Sequence, residues 1–308
     1  MRLGLPDFVS NSYFPAIAAV ELGFFKAEGL DMELESIFPV PKTFETLRDH
    51  KLDFVAASSH ATLTAFPDWK GAKLLAALAQ HMYWFLVLRS DLGAKRGDVE
   101  AVKGLRIGAA PGVDLGLKRM LAAAGLDPEA DNIQIAPVPG ATAPGVSFGV
   151  TAAKALSEGT IDGFWANGMG AEVAVRHGAG TVVLDIRRGE GPAEARGYTF
   201  PALITSDRVI ADNPDAAAAA VRALVKTQKA LVEDPQRAAD VGKALYPPEE
   251  AGLITTLIER DVPYYDPGIP EPVVSSMNRF AQDIGLLSAP VPYEDVVAVQ
   301  FRHLWEGS

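Results

Sequence analysis

Hydrophobic and polar positions along the chain repeat with two periods, and the period switches back and forth. Arg2 to Leu5 is a short apolar run stopped by Pro6, which predicts a strand. Phe14, Ile17, Ala18, Leu22 and Phe25 recur at helical spacing, so a helix is predicted over Tyr13 to Phe25. Ser12 is its expected N-cap, Pro15 suits its first turn, and Gly29 stops it. Met32, Leu34 and Ser36 then alternate with Asp31, Glu33 and Glu35, the period of a half-exposed strand. A helix is expected over Thr43 to His50 and a strand over Asp53 to Ala57. Ser58 or Ser59 should cap a helix starting near His60. Lys73 to Leu78 and Trp84 to Leu88 read as two further strands.

The same alternation resumes after Val102-Lys103-Gly104. Strands are predicted over Leu105 to Ala109, Ile133 to Ala136, Ile161 to Trp165, Thr181 to Asp185 and within Tyr198 to Thr205. Helices are predicted over Leu115 to Ala124, Thr151 to Ser157 and Gly170 to His177, with a Gly/Pro-rich loop from Pro137 to Gly149. Strand and helix in turn are the mark of α/β architecture with largely parallel sheets. From Asp212 onward the pattern is helical only: Asp212 to Val232, Pro235 to Leu245, Pro248 to Val262 and Pro270 to Ile284.

Composition narrows the chemistry. The length of 308 residues suggests two domains of about 150 residues each. The net charge of −11 does not attract phosphate backbones, so nucleic acid is not an expected partner. There is no Cys, which removes disulfides, thiolate nucleophiles and cysteine-ligated metal sites. No run of 18 to 20 apolar residues is present. At the N-terminus Pro6 and Asp7 interrupt the apolar run too early for a secretory signal. The chain is therefore read either as a mature periplasmic or membrane-associated extracellular form, or as cytoplasmic if Met1 is the native start. The letters GxSxG occur at Gly145 to Gly149, but the strand–turn–helix context of a serine nucleophile is missing. Neither a phosphate-loop motif nor a metal-ligand spacing occurs, and no cofactor is expected.

Four segments resemble one family. They are Ala16 to Leu30, ending Gly23-Phe24-Phe25-Lys26-Ala27-Glu28-Gly29-Leu30; Lys51 to Ala56; Val102 to Gly108; and Ala155 to Gly163, with Asp162 near its end. In this order the chain resembles the type II periplasmic-binding-protein fold, in its nitrate/sulfonate/taurine and thiamine-pyrimidine-precursor branch. The resemblance implies an α/β, two-lobed fold with mixed sheets and a helical C-terminal layer. Lobe one would be residues 1–84 plus 200–308, and lobe two 85–199. Crossovers are expected near 83–84 and 198–200, with ligand held between the lobes.

In open α/β sheets ligands sit beyond the carboxyl ends of strands, where helix N-termini offer free N–H groups. That rule selects Asp7, Phe8, Ser10, Asn11, Ser12 and Tyr13, then Phe38, then Ser58, Ser59 and His60. In lobe two it selects Gly112, Val113, Asp114, Trp165 and Asn167, and Tyr198 lies at the second crossover. Some have plain structural alternatives: the serines as caps, Asp114 as a complement to a helix dipole, Trp165 as core. Arg187, Arg188 and Arg196 lie in a polar loop and read as solvated.

Two functions fit. One is the substrate-binding component of an ABC-type uptake system, a monomer that takes a small organic, aromatic or planar ligand and meets a permease. The other is a cytosolic enzyme on the same fold, acting on a small organic acid or heterocycle, with His60 as general acid/base and Asp7 or Asp114 as its partner. The enzymes that share the fold use cysteines that this chain lacks.

Overall fold

The computed structural model describes residues 1–143 and 145–306. The loop read between Pro137 and Gly149 contains Pro144, which lies outside the described residues, as do the last two residues of the proposed first lobe.

Two five-stranded sheets form the centre of the molecule. The first contains β1 (Arg2–Leu5), β2 (Glu33–Ser36), β3 (Phe54–Ser58), β4 (Ala72–Ala77) and β10 (Pro201–Ser206), in the order β2-β1-β3-β10-β4. The second contains β5 (Phe85–Arg89), β6 (Arg106–Ala109), β7 (Gln134–Ala136), β8 (Gly163–Ala166) and β9 (Gly180–Asp185), in the order β7-β6-β8-β5-β9. β3, β8 and β10 are buried along their whole length, and their sequences FVAAS, GFWA and PALITS have no polar face to present to water.

The sheets are mixed, as the resemblance implies, and not largely parallel as the alternation of strand and helix alone suggests. β10 runs antiparallel to both β3 and β4, and β5 runs antiparallel to both β8 and β9. The remaining pairings, β1 with β2 and β3, and β6 with β7 and β8, are parallel. The reason is topological. β5 follows β4 into the second sheet, and β10 follows β9 back into the first, without an α-helix to reverse the chain. A strand that arrives without a helical return enters against its neighbours.

Helices α1 (Phe14–Glu21), α2 (Phe24–Ala27) and α3 (Val40–Arg48) accompany the first sheet. α4 (Asp114–Ala123), α5 (Phe148–Ser157) and α6 (Gly168–Arg176) accompany the second. After β10 come α7 (Asp207–Asp212), α8 (Pro214–Glu233), α9 (Arg237–Leu245), α10 (Pro248–Asp261), α11 (Glu271–Asp283) and α12 (Tyr293–Val296). The helix predicted over Tyr13 to Phe25 is broken in two at Gly23, whose φ of 77° is a left-handed turn that a side chain resists. The helix predicted from Asp212 starts at Pro214, where the Asn213 side chain accepts from the Ala216 N–H. No described helix is long and apolar enough to cross a membrane.

Candidate functional site

A small cavity of about 40 Å³ lies where the carboxyl ends of the strands of both sheets face each other. From the first sheet come Asp7, Ser10, Ser12 and Tyr13 after β1, and Phe38 and Val40 after β2. The segment between β4 and β5 supplies Tyr83 and Trp84. The second sheet supplies Ala110 and Val113 after β6, Phe148 at the start of α5, and Trp165 to Asn167 at the end of β8. None of these described lining residues is Lys, Arg or His.

Aromatic rings make the walls. Phe38 and Phe148 stack across the two lobes, with centroids 6.5 Å apart. Trp84 meets Trp165 at 6.0 Å in an edge arrangement, and Tyr83 lies 5.3 Å from Trp84. Trp84 is held by close packing: a Cβ on Gly116 of α4 would come within 2.6 Å of its ring, so only glycine fits there. The hydroxyls of Tyr13, Tyr83 and Ser58 form a chain, with 3.2 Å between the tyrosines and 2.6 Å from Ser58 to Tyr83. Burial pushes the Tyr83 phenol up to about 12, and that of Tyr13 also upward, so both stay neutral.

Asp7 is the one carboxyl among the described residues of the wall. Its oxygens accept from the Ser147 hydroxyl at 2.8 Å and the Val9 N–H at 2.9 Å. Burial outweighs these bonds and pushes its pKa up to about 6. Ser147 immediately precedes α5, beside the second sheet, so this bond joins the lobes. Asn167 joins them again: its Oδ1 caps α6 by accepting from Gly170 N–H, and its Nδ2 donates to Ser10 Oγ at 3.2 Å. Two polar atoms at the wall are buried without a protein partner, Ser12 Oγ and Trp165 Nε1.

Of the residues selected from sequence, the structure brings Asp7, Ser10, Ser12, Tyr13, Phe38, Val113, Trp165 and Asn167 to this cavity. The others are placed elsewhere. Asn11 turns away from it: its Nδ2 donates to Asp261 at 2.7 Å and its Oδ1 accepts from Met169 N–H. Gly168 must be glycine here, because a Cβ would sit 2.8 Å from the Asn11 amide. Phe8 is partly buried against the core. Ser58 and Ser59 cap nothing; Ser58 serves Tyr83, and Ser59 Oγ lies 3.1 Å from Thr199 Oγ1. Ser12 likewise does not cap α1, whose N-cap position is Tyr13.

His60 lies behind the Trp84 wall. Its Nδ1 is 2.9 Å from Thr199 Oγ1, and its ring meets Phe280 and Trp84 edge-on at 5.2 and 6.2 Å. Burial holds its pKa down at about 4, although a hydrogen bond to the Gly112 backbone works the other way. Gly112, with φ 86°, donates its N–H to Asp114, which also pairs with Lys118 at 2.6 Å. Asp114 is thus a local turn brace, and it is not a partner for His60. Tyr198 stacks on Phe280 at 4.6 Å and donates to Glu194. Sequence reasoning did not put Val40, Tyr83, Trp84, Ala110 and Phe148 among the binding residues. The sequence places Tyr83 and Trp84 at a crossover, with Trp84 opening a strand, and a chain passing between two lobes necessarily borders the space between them. Arg187, read as solvated, is 4% exposed and pairs with Asp261 at 2.8 Å. The helical turn after β9 folds it inward, and only Arg188 of that pair remains exposed.

Two lobes, a strand exchanged in each direction and a cavity at facing strand ends define the type II periplasmic-binding-protein fold. Comparison with solved structures agrees. The ligand-binding component of an ABC-type import system from Staphylococcus aureus, with zinc bound, aligns with a TM-score of 0.70 at 13% identity, covering 100% of this chain and 99% of that one. The alkanesulfonate-binding protein SsuA from Xanthomonas axonopodis pv. citri, bound to MOPS, aligns at 0.68 and 14% identity, covering 94% and 95%. The desulfurization enzyme DSZB aligns at 0.68 and 15%, covering 98% and 97%. The chain belongs to the NMT1/THI5-like family, whose model matches residues 10–238. No curated protein matches it.

Proposed function

We propose that this protein is the solute-binding component of an ABC-type importer. It works outside the cytoplasmic membrane, and its solute is a small planar organic molecule carrying a positive charge or N–H donors, such as an amine, amidine or amino-heterocycle. One observation carries the choice of solute: a buried carboxyl, Asp7, faces an aromatic cavity whose described lining holds no cationic side chain. An ionised carboxylate in such a place repels sulfonate or nitrate, and it attracts a cation that also stacks on the rings. Trp165 Nε1 and Ser12 Oγ then meet polar atoms of the solute. Residues 1–84 with 200–308, and 85–199, act as the two lobes and close on the solute through the segments joining β4 to β5 and β9 to β10.

The position of His60 supports binding over catalysis. The imidazole is outside the cavity lining, is neutral, and is engaged by Thr199. A general base must reach the proton it takes. The test is a thermal-shift screen of aromatic amines, amidines and aminopyrimidines against alkanesulfonates and nitrate, followed by calorimetry. Saturable stabilisation by the first group, weakened in Asp7→Asn, is expected. Binding of sulfonate or nitrate that Asp7→Asn strengthens would overturn the assignment of the solute.

A further inference from the structure

A groove of about 340 Å³ runs along the outer side of the interlobe cavity. One bank carries Pro41 of α3 and Thr64, which follows β3. The other carries the turn between β6 and α4, Leu115 of α4, and Ile135 and Ala136 of β7. The same two stretches of chain wall both spaces. Val40 lines the cavity, and the next residue, Pro41, lines the groove. Ala110 and Val113 line the cavity, while Pro111, Gly112 and Asp114 line the groove. The partition is a seam between the lobes, because one stretch follows β2 of the first sheet and the other follows β6 of the second. It closes where Gly112 meets Pro41: a Cβ on Gly112 would come within 3.5 Å of the Pro41 ring.

The groove is apolar. Pro41, Pro111 and Pro137 present rings and carry no backbone N–H. Asp114 is the one charged residue among its described lining, and both its oxygens are engaged, by Gly112 N–H at 2.9 Å and by Lys118 at 2.6 Å. The inner cavity, at about 40 Å³, has room for roughly three waters and none for an aromatic ring. A ring enters only once the lobes move apart, and the same movement opens the seam between Pro41 and Gly112. The solute then faces one continuous space, polar at Asp7 and apolar beyond the seam.

We propose that this groove is an outer subsite of the solute site, and that it takes a short alkyl chain borne by the solute. The inference rests on the interlobe cavity being the solute site, and it adds a chain to the planar head that lies against Asp7. Pro41 and Gly112 form the narrow point between head and chain.

The test is titration calorimetry of the full chain with 4-alkylbenzylamines and with 4-alkylbenzenesulfonates, from the unsubstituted ring to the butyl compound. In whichever series binds, affinity should rise about two- to fourfold per methylene, as burial of each CH₂ in an apolar groove requires. Ala136→Trp sets an indole at an exposed position of the groove and should flatten that rise. Thr64→Trp, exposed on the opposite bank, should do the same and decides if Ala136→Trp does not fold. Asp7→Asn should weaken every amine by a similar factor and leave the rise per carbon unchanged, which separates chain from head. A series that binds with no rise overturns the outer subsite and leaves the Asp7 assignment standing. A rise among sulfonates alone supports the subsite and overturns the Asp7 assignment. An undiminished rise in the folded Trp variants, or binding by neither series, overturns the proposal.

Discussion

Replacing Asp7 by Asn should change the pH dependence of stability in a way that exposes a hidden compensation. Burial lifts the Asp7 carboxyl from 3.8 to about 6 in the folded protein. At roughly 1.4 kcal/mol per pKa unit, keeping it ionised above pH 6 costs the fold about 3 kcal/mol. The folded state holds this proton more tightly than the unfolded state, so this contribution makes stability fall as pH rises from about 4 to 6. His60 works the opposite way. Burial lowers it from 6.5 to about 4, so the unfolded state takes up its proton first. Stability from His60 is therefore fully present above pH 6.5 and is lost as pH falls toward 4, again by about 3 kcal/mol. His81 is shifted in the same direction as His60, by burial and by nearby Arg196 and Arg187. Between pH 4 and 6 the slopes from Asp7 and the histidines oppose each other. Urea denaturation of the wild-type protein should show stability rising only part-way there, because two histidines outweigh one carboxyl, whereas Asp7→Asn should gain stability more steeply up to pH 6.5. At pH 7.5 the variant should be more stable than wild type by about 1–2 kcal/mol, since Asn relieves the buried charge but accepts fewer of the bonds from Ser147, Val9 and Phe148. An Asp7→Asn profile that superimposes on wild type, or a variant less stable above pH 6, would refute the reasoning.

Three further outcomes follow from the same geometry. His60→Gln should leave solute affinity within about twofold while flattening the stability profile between pH 4 and 6, where His81 alone then opposes Asp7; titration calorimetry and urea midpoints check both. Trp165→Phe keeps an aromatic wall but loses the unpartnered Nε1–H, and should weaken solute binding about five- to tenfold in calorimetry with little change in stability. Tyr83→Phe removes the hydroxyl shared by Tyr13 and Ser58, leaving both buried groups short of a partner, and should lower the urea-derived stability by about 1–3 kcal/mol.

Much of the frame was legible in the sequence because the two periods of hydrophobicity are strong there. β1 was placed at Arg2 to Leu5 and is found at those residues, and the helices at Pro214, Pro248 and Glu271 begin within a residue or two of expected Pro and Asn signals. The strand-end rule located half of the cavity wall, since strand ends are local features. What local pattern does not encode is which side of a turn a side chain takes. Ser59 and His60 follow β3 as expected, but Thr199, 139 residues after His60, draws both inward. Arg187 was misjudged for the same reason: its partner Asp261 lies at the end of α10, and no periodicity joins the two. Polar residues in a loop look solvated until the fold supplies a buried counter-charge.

The size of the interlobe cavity makes one more prediction about motion. About 40 Å³ is room for roughly three waters, too little for an aromatic solute, so the structure describes lobes drawn together. What holds them is unevenly distributed. Arg119 pairs with Asp283, and Arg260 with Glu172, but these pairs are partly exposed and are worth about 0–1 kcal/mol each. The contacts at the cavity itself, Ser147 on Asp7, Asn167 on Ser10 and Phe38 on Phe148, are shielded from water and carry more of the closure. Breaking the outer Arg119–Asp283 pair with Arg119→Ala should therefore leave the radius of gyration in X-ray scattering almost unchanged. Ser147→Ala with Phe148→Ala should expand the solute-free protein, and solute should restore compactness only at higher concentration, because closure then draws on solute contacts alone. If Arg119→Ala opens the lobes and the cavity variants do not, the lobes are held from the outside, and Asp7 is not the group around which they close.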